Sequence, residues 1–172
     1  MPRPSEFHRL SKKQLLEQLR SLVSQDLSQM THSQQATVKG TTHEESRAEN
    51  DKDTRAIESS YLARGQAERV AELQEAATSL SALQLREYDA STPLGPTALF
   101  SLIINAQGKE TTQHYFLLPV AGGYQLQHGA IIVKTVTSKS PLGAAVLGKR
   151  LDDDLEFSSP QGSRECSLVA LV

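Results

Sequence analysis

Between Pro4 and Pro93 the chain contains no proline, and from Leu10 to Leu83 its only glycines are Gly40 and Gly65. Nothing in that stretch removes a backbone donor or forces a break, so long helices are permitted there as in no other part of the sequence. The apolar residues agree. Leu16, Leu19, Val23, Leu27 and Met30 fall three and four apart, with Leu15 and Leu22 beside them, which is the stripe of an amphipathic helix. Ser11 is a natural N-cap, although the Lys12-Lys13 pair behind it sits at the positive end of the helix dipole. Further on, Ala56, Ala63, Val70 and Ala77 recur at sevens, interleaved with Ser59, Gln66, Leu73 and Leu80. This is a heptad register whose apolar content is concentrated toward its C-terminal end. A single stripe exposed to water supports neither helix, because most helical stability comes from packing that stripe. Residues 1–83 are therefore expected to fold back as an antiparallel helical hairpin, a short coiled coil. The turn is expected between Thr37 and Arg47, where Lys39-Gly40-Thr41-Thr42-His43 interrupts the pattern and Gly40 can take a positive φ. At a rise of 1.5 Å per residue, such a finger would reach roughly 45 Å.

After Leu83 the period changes. Leu85–Asp89, Thr97–Ile104, His114–Leu118, Ala130–Val136, Asp154–Phe157 and Glu165–Val172 have strand character, separated at short intervals by Gly, Pro, Asn or Asp, and Gly122-Gly123 breaks the chain before Tyr124-Gln-Leu126. Residues 84–172 thus predict a small, mostly antiparallel sheet. The 172 residues make one ordinary domain or two small ones, and the uneven placement of apolar residues argues for two. The fold class is α+β.

Within the second region, Ser140-Pro-Leu-Gly-Ala-Ala-Val-Leu-Gly-Lys-Arg150 follows the apolar run Ala130–Val136 and leads into Leu151-Asp-Asp-Asp-Leu-Glu-Phe157. Ser140 can cap a short helix whose first position is Pro141, where a missing N–H costs nothing. Gly148 is placed to end that helix in a left-handed conformation.

This segment resembles the SPLGxALLGK stretch of the GreA/GreB transcription elongation factors, in the small C-terminal domain that docks on bacterial RNA polymerase. The resemblance includes Gly143, Leu147, Gly148, Lys149 and a following acidic turn, except that Asp152 stands where the family usually has Gly. It is close in wording over residues 130 to 157 and extends in layout to the whole chain. It implies an FKBP-like β domain behind the hairpin, with Ser140, Pro141, Leu142, Gly143, Lys149 and Arg150 binding the polymerase.

At the tip, near residues 41–53, the family's cleavage-stimulating members carry a motif resembling D-x-S-E-N-A-E-Y. Here Glu49-Asn50 matches the Glu-Asn pair, Ser46 holds the place of the first acid, and Glu45 and Glu44 stand just before it. Residues 44 to 53 hold five acids, Glu44, Glu45, Glu49, Asp51 and Asp53, against Arg47 and Lys52. On a helix Glu45 and Glu49 would share a face, and two carboxylates leaving positions open for water and phosphate suit Mg²⁺. By this resemblance Glu45 and Glu49 would share a Mg²⁺ with the polymerase, with Glu44 and Asp51 as further candidates, and would help orient water in a two-metal phosphodiester cleavage. The chain would have no catalytic centre or cofactor of its own. It would enter the polymerase's secondary channel as a monomeric, cytoplasmic accessory factor and stimulate transcript cleavage in backtracked complexes. The alternative within the same reading is a channel-occupying inhibitor or initiation regulator without cleavage, as the substitution at Ser46 would allow.

Composition bounds the other classes. A net charge of −2 gives no basic coat for sequence-specific nucleic-acid binding. No apolar run approaches the length of a membrane span, and the first eight residues lack the apolar stretch of a secretion signal. Cys166 has no partner for a disulfide within the chain and is expected to be an inert thiol, buried or half-buried. His8, His32, His43, His114 and His128 show no metal-ligand spacing. Two readings from other classes are a coiled-coil adaptor that binds through its outer helix faces and a prolyl isomerase or chaperone. The second needs an aromatic-lined pocket, and the aromatic residues Tyr88, Phe100, Tyr115, Phe116, Tyr124 and Phe157 mostly fall on strand positions.

Overall fold

The computed structural model describes residue 7 and residues 10–44, 52–106, 109–160 and 162–172. Two long helices come first: α1, Lys12–Glu44, of 33 residues, and α2, Lys52–Ser81, of 30 residues. Six strands follow, β1 (Leu99–Ala106), β2 (Lys109–Leu118), β3 (Gln125–His128), β4 (Ile131–Thr137), β5 (Asp154–Ser159) and β6 (Gly162–Leu171). A six-residue helix, α3 (Pro141–Val146), lies between β4 and β5. The protein is α+β: a helical hairpin, then a small sheet domain with one short helix. Two compact units emerge, one of Arg20–Ser81 and one joining the described residues up to Leu19 with Ala82–Val172.

In the hairpin unit, Arg20 reaches the carbonyl of Leu80, and Ser33 meets Gln66. The pairing runs up one helix and down the other, so the two are antiparallel. Val23, Val70, Leu73 and Leu80 are buried, as the stripes predict. Ile57 and Tyr61, in contrast, stand 53% and 71% exposed. The structure corrects the expected turn. α1 runs unbroken through Lys39-Gly40-Thr41-Thr42-His43 to Glu44, because one glycine inside a helix costs only about 1 kcal/mol and, unlike proline, removes no hydrogen bond. The connection to α2 falls after Glu44.

In the sheet unit the strand order is β3-β4-β2-β1-β6-β5. Four pairings are antiparallel, and β2–β4 is parallel, so the sheet is mostly antiparallel with one parallel neighbour pair. One face carries the main core: Phe100, Leu102, Ile104, Tyr115, Leu117, Leu155 and Leu168 pack with Leu142 and Val146 of α3. On the alternate positions of β2, His114 and Phe116 are buried, and Phe7 stacks on the His114 ring at 5.4 Å. The start of α1 is tied to the same unit. Gln18 accepts from the Gln127 amide at 3.0 Å, Gln14 meets His128 at 3.1 Å, and Lys12 Nζ donates to the Arg86 carbonyl at 2.5 Å. Lys12 also lies 5.0 Å from the centre of the Tyr88 ring. The residue that looks misplaced at the helix N-terminus is thus engaged by an acceptor and a ring face. Ser11 does cap α1, accepting from the Gln14 amide at 3.3 Å.

Leu85–Asp89 is not a strand. No strand among the described residues pairs with it. The segment is held instead by the Lys12–Arg86 contact, by Arg86 N donating to Thr97 Oγ1 at 2.9 Å, and by Tyr88 Oη donating to the Pro96 carbonyl at 2.7 Å. At its end Asp89 accepts from both the amides and the hydroxyls of Ser91 and Thr92, which hold its carboxyl down at about 2.

Candidate functional site

The corner between β4 and β5 is built as its residue types dictate. Ser140 has an extended backbone (φ −75°, ψ 155°), and its Oγ accepts from the Gly143 amide at 3.0 Å while donating to the Thr137 carbonyl at 2.8 Å. Pro141 occupies the first turn. Leu142 and Val146 point into the main core. Gly143 is required sterically, since a Cβ there would lie 1.9 Å from the Thr137 carbonyl oxygen. Gly148 takes φ 77°, and its amide donates to the Leu94 carbonyl at 2.8 Å, while the Leu94 amide donates to the Lys149 carbonyl at the same distance. This pair of bonds ties the corner to the loop ahead of β1. Beyond it, Asp153 Oδ2 accepts from the Arg150 amide at 2.8 Å, and Asp152, with φ 68°, donates its N–H to the Leu168 carbonyl.

This geometry divides the six residues expected to bind a partner. Ser140 is a cap, and Leu142 and Gly143 are buried. Pro141 and Arg150 face solvent, and Lys149 is half-buried. Lys149 Nζ donates to the Asp154 carbonyl at 3.0 Å, and the Arg150 guanidinium donates to the Ser91 carbonyl. Both cations are therefore positioned by backbone acceptors rather than neutralised by carboxylates at those contacts. Leu147, part of the resemblance but not one of the six residues expected to bind a partner, is 39% exposed at the end of α3. The outward surface is apolar at Pro141 and Leu147 and cationic at Lys149 and Arg150. An apolar residue beside a helix-ending glycine was the signal for Leu147, but only the fold shows that it faces out while Val146 faces in.

Of the tip residues, Glu45, Glu49 and Asp51 lie outside the described residues, and Glu44 closes α1 with its side chain outside them. Among the described residues no group of three or more His, Cys, Asp or Glu is arranged to hold a metal ion. Asp152–Asp154 forms a turn and the start of β5. Cys166 is buried, and burial pushes its thiol up.

Beside Ser140 lies an open cleft of about 510 Å³ lined by Gly122, Gly123, Gln125 and Lys134 among others, with no aromatic ring in its wall. Tyr88, Phe100, Tyr115 and Phe116 are all buried by packing. Burial also pushes the Tyr115 phenol up to about 12. Four of the six rings considered for a proline pocket are thus taken up by packing, while Tyr124 and Phe157 are half-buried. No helix among the described residues is long and apolar enough to cross a membrane.

No protein-family model and no curated protein matches the sequence. Among solved structures, the chain is similar to the GreA factor homolog 1 (Gfh1) protein of Thermus thermophilus, at 21% identity over 89% of this chain and 94% of that one, with a TM-score of 0.37. It is similar to Thermus aquaticus Gfh1 at 20% identity over 88% and 92%, with a TM-score of 0.38. A prokaryotic transcription elongation factor GreA/GreB from Nitrosomonas europaea matches at 14% identity over 58% and 78%, with a TM-score of 0.32. At these values the similarities assign no activity.

Proposed function

We propose that this chain is an accessory factor of bacterial RNA polymerase. Its β domain docks through the corner around α3, and its helical hairpin carries an acidic tip into the secondary channel. The observation that supports this most directly is the corner itself. The segment whose wording resembles the polymerase-docking stretch of the GreA/GreB factors folds as a capped helix, which presents Pro141, Leu147, Lys149 and Arg150 outward on a rigid base. A surface of this kind suits a partner with an apolar patch flanked by carboxylates.

In this reading the chemistry belongs to the polymerase. The acids between α1 and α2, foremost Glu45 and Glu49, would hold a Mg²⁺ jointly with the polymerase, as hard oxygen donors that leave coordination positions open. A second reading follows from Ser46, which replaces an acid of the family motif. With one carboxylate fewer at that point, the factor would occupy the channel and compete with cleavage factors or alter initiation.

The test is transcript cleavage by a stalled, backtracked bacterial RNA polymerase with the protein, without it, and with a Glu45→Ala, Glu49→Ala variant. Metal-dependent cleavage that disappears in the variant supports the first reading. Binding without cleavage, together with inhibition of an authentic cleavage factor, supports the second. Absence of binding overturns both and leaves a coiled-coil adaptor, whose binding would be indifferent to charge reversal at the tip.

A further inference from the structure

The hairpin is built unevenly along its length. Val23, Val70, Leu73 and Leu80 are buried toward the base, and Arg20 secures the end of α2 there. Farther out the pattern changes. From residue 24 to residue 37 on α1, and from residue 57 to residue 69 on α2, no described side chain is buried. Leu27, Met30, Ala63 and Gln66, at positions facing the partner helix, are only half-buried.

Within this outer part Gln66 Nε2 donates to Ser33 Oγ at 3.1 Å. The other end of the same amide, Oε1, is shielded from solvent and meets no donor among the described residues. Turning the amide over would not cure this. It would give the oxygen to the Ser33 hydroxyl and leave the NH₂ unmatched, because one hydroxyl serves one end of the amide. A shielded polar atom without a partner favours any arrangement that returns it to water. Here no fully buried apolar side chain opposes that return, as Val23, Val70 and Leu73 do nearer the base.

We propose that the outer hairpin, 27–37 against 57–69, opens as a cooperative unit separate from its base, with the Ser33–Gln66 layer as its weak point and the Val23, Val70 and Leu73 layer as its limit. Opening separates the two helices locally, lets water reach Gln66, and leaves the base closed. A surface that surrounds the outer part, or that offers Gln66 a donor, then shifts the population toward the closed form. This device follows from the hairpin alone and stands whether or not the polymerase is the partner.

The test is native-state hydrogen exchange on the full chain with increasing urea. Helical amides of 27–37 and 57–69 are expected to exchange at least about tenfold faster than those of 20–26 and 70–80 and to share one denaturant dependence, as a local cooperative unit does. Gln66→Leu is expected to slow the outer amides by about tenfold while leaving the base unchanged, since it removes the unmatched amide. Ser33→Ala, which deletes the remaining bond, is expected to speed the outer amides. One common rate and denaturant dependence for both parts overturns the proposal, and that comparison needs only the unaltered protein. Unchanged outer exchange in Gln66→Leu overturns the role of the Ser33–Gln66 layer.

Discussion

Arg20 on the first helix caps the far end of the second through the carbonyl of Leu80. Its Nε and Nη2 donate to that oxygen at 3.0 and 2.6 Å, and Nη2 also reaches the Ser81 carbonyl at 3.2 Å. The last carbonyls of a helix have no partner within it, and α2 has no basic residue in its own last turn. The cation that complements the negative end of its dipole comes from across the hairpin. Arg20→Met keeps the aliphatic stem and removes the donors. It is expected to lower stability by about 1–2 kcal/mol, read as a lower urea midpoint at unchanged slope.

The corner at α3 separates steric from capping roles. Gly143→Ala forces a Cβ into the Thr137 carbonyl and is expected to cost about 2–3 kcal/mol. Ser140→Ala loses only the cap, about 1 kcal/mol. Chemical denaturation of the two variants should rank them in that order. If Ser140→Ala proves the more damaging, Ser140 holds something besides the helix end.

Asp152 occupies a left-handed position, φ 68°, in the turn before β5. It stands where the resembled family usually has glycine, and the backbone keeps the conformation that glycine favours. Asp152→Gly is expected to stay within about 1 kcal/mol of the parent, the relief of strain offsetting the added freedom of the unfolded chain. Asp152→Val should cost about 1–2 kcal/mol. Thermal midpoints that fall equally for both would show that the carboxylate, not the backbone, matters there.

His114 gives the fold a pH dependence. Its Nδ1 lies 2.8 Å from Ser101 Oγ, its ring stacks on Phe7, and burial holds its pKa below the ordinary imidazole value. The unfolded chain therefore binds this proton more readily than the folded one. The contribution of His114 is present above about pH 6.5, falls as the pH drops below that value, and levels off below the folded pKa. Urea midpoints measured between about pH 7.5 and about pH 5.5 (roughly one unit either side of the free imidazole value) should decline in the parent. They should decline less steeply in His114→Gln. Equal slopes would assign the decline to the carboxylates.

Much of this architecture is legible in the chain, and the failures have identifiable causes. The helices were readable because Leu16, Leu19, Val23, Val70, Leu73 and Leu80 keep a local period. The short helix was readable because Ser140, Pro141 and Gly148 each fit one position and no other. The turn was misplaced because Gly40 looks like a terminator locally, whereas a single glycine costs a long helix little and α1 continues past it. Leu85–Asp89 has local strand character, but a strand exists only where another pairs with it, and that is a property of distant sequence. The parallel β2–β4 pairing escaped notice for the same reason. At the candidate site the short helix was legible, but its inward and outward residues were not distinguished. Facing is decided by the sheet against which Leu142 and Val146 pack.

The contact of Gln18 with the Gln127 amide has a consequence for what the sheet can join. β3 is an outermost strand, and such a strand presents unpaired backbone groups that invite another chain to add to it. Here the amide of Gln127 is already taken by a side chain of α1. At the opposite margin Lys149 covers the carbonyl of Asp154, and Asp154 and Glu156 place exposed carboxylates along β5. Both margins of the sheet are thereby guarded against self-association, one by an amide cap and the other by charge. A sheet so guarded at both margins is kept from growing sideways by adding copies of itself.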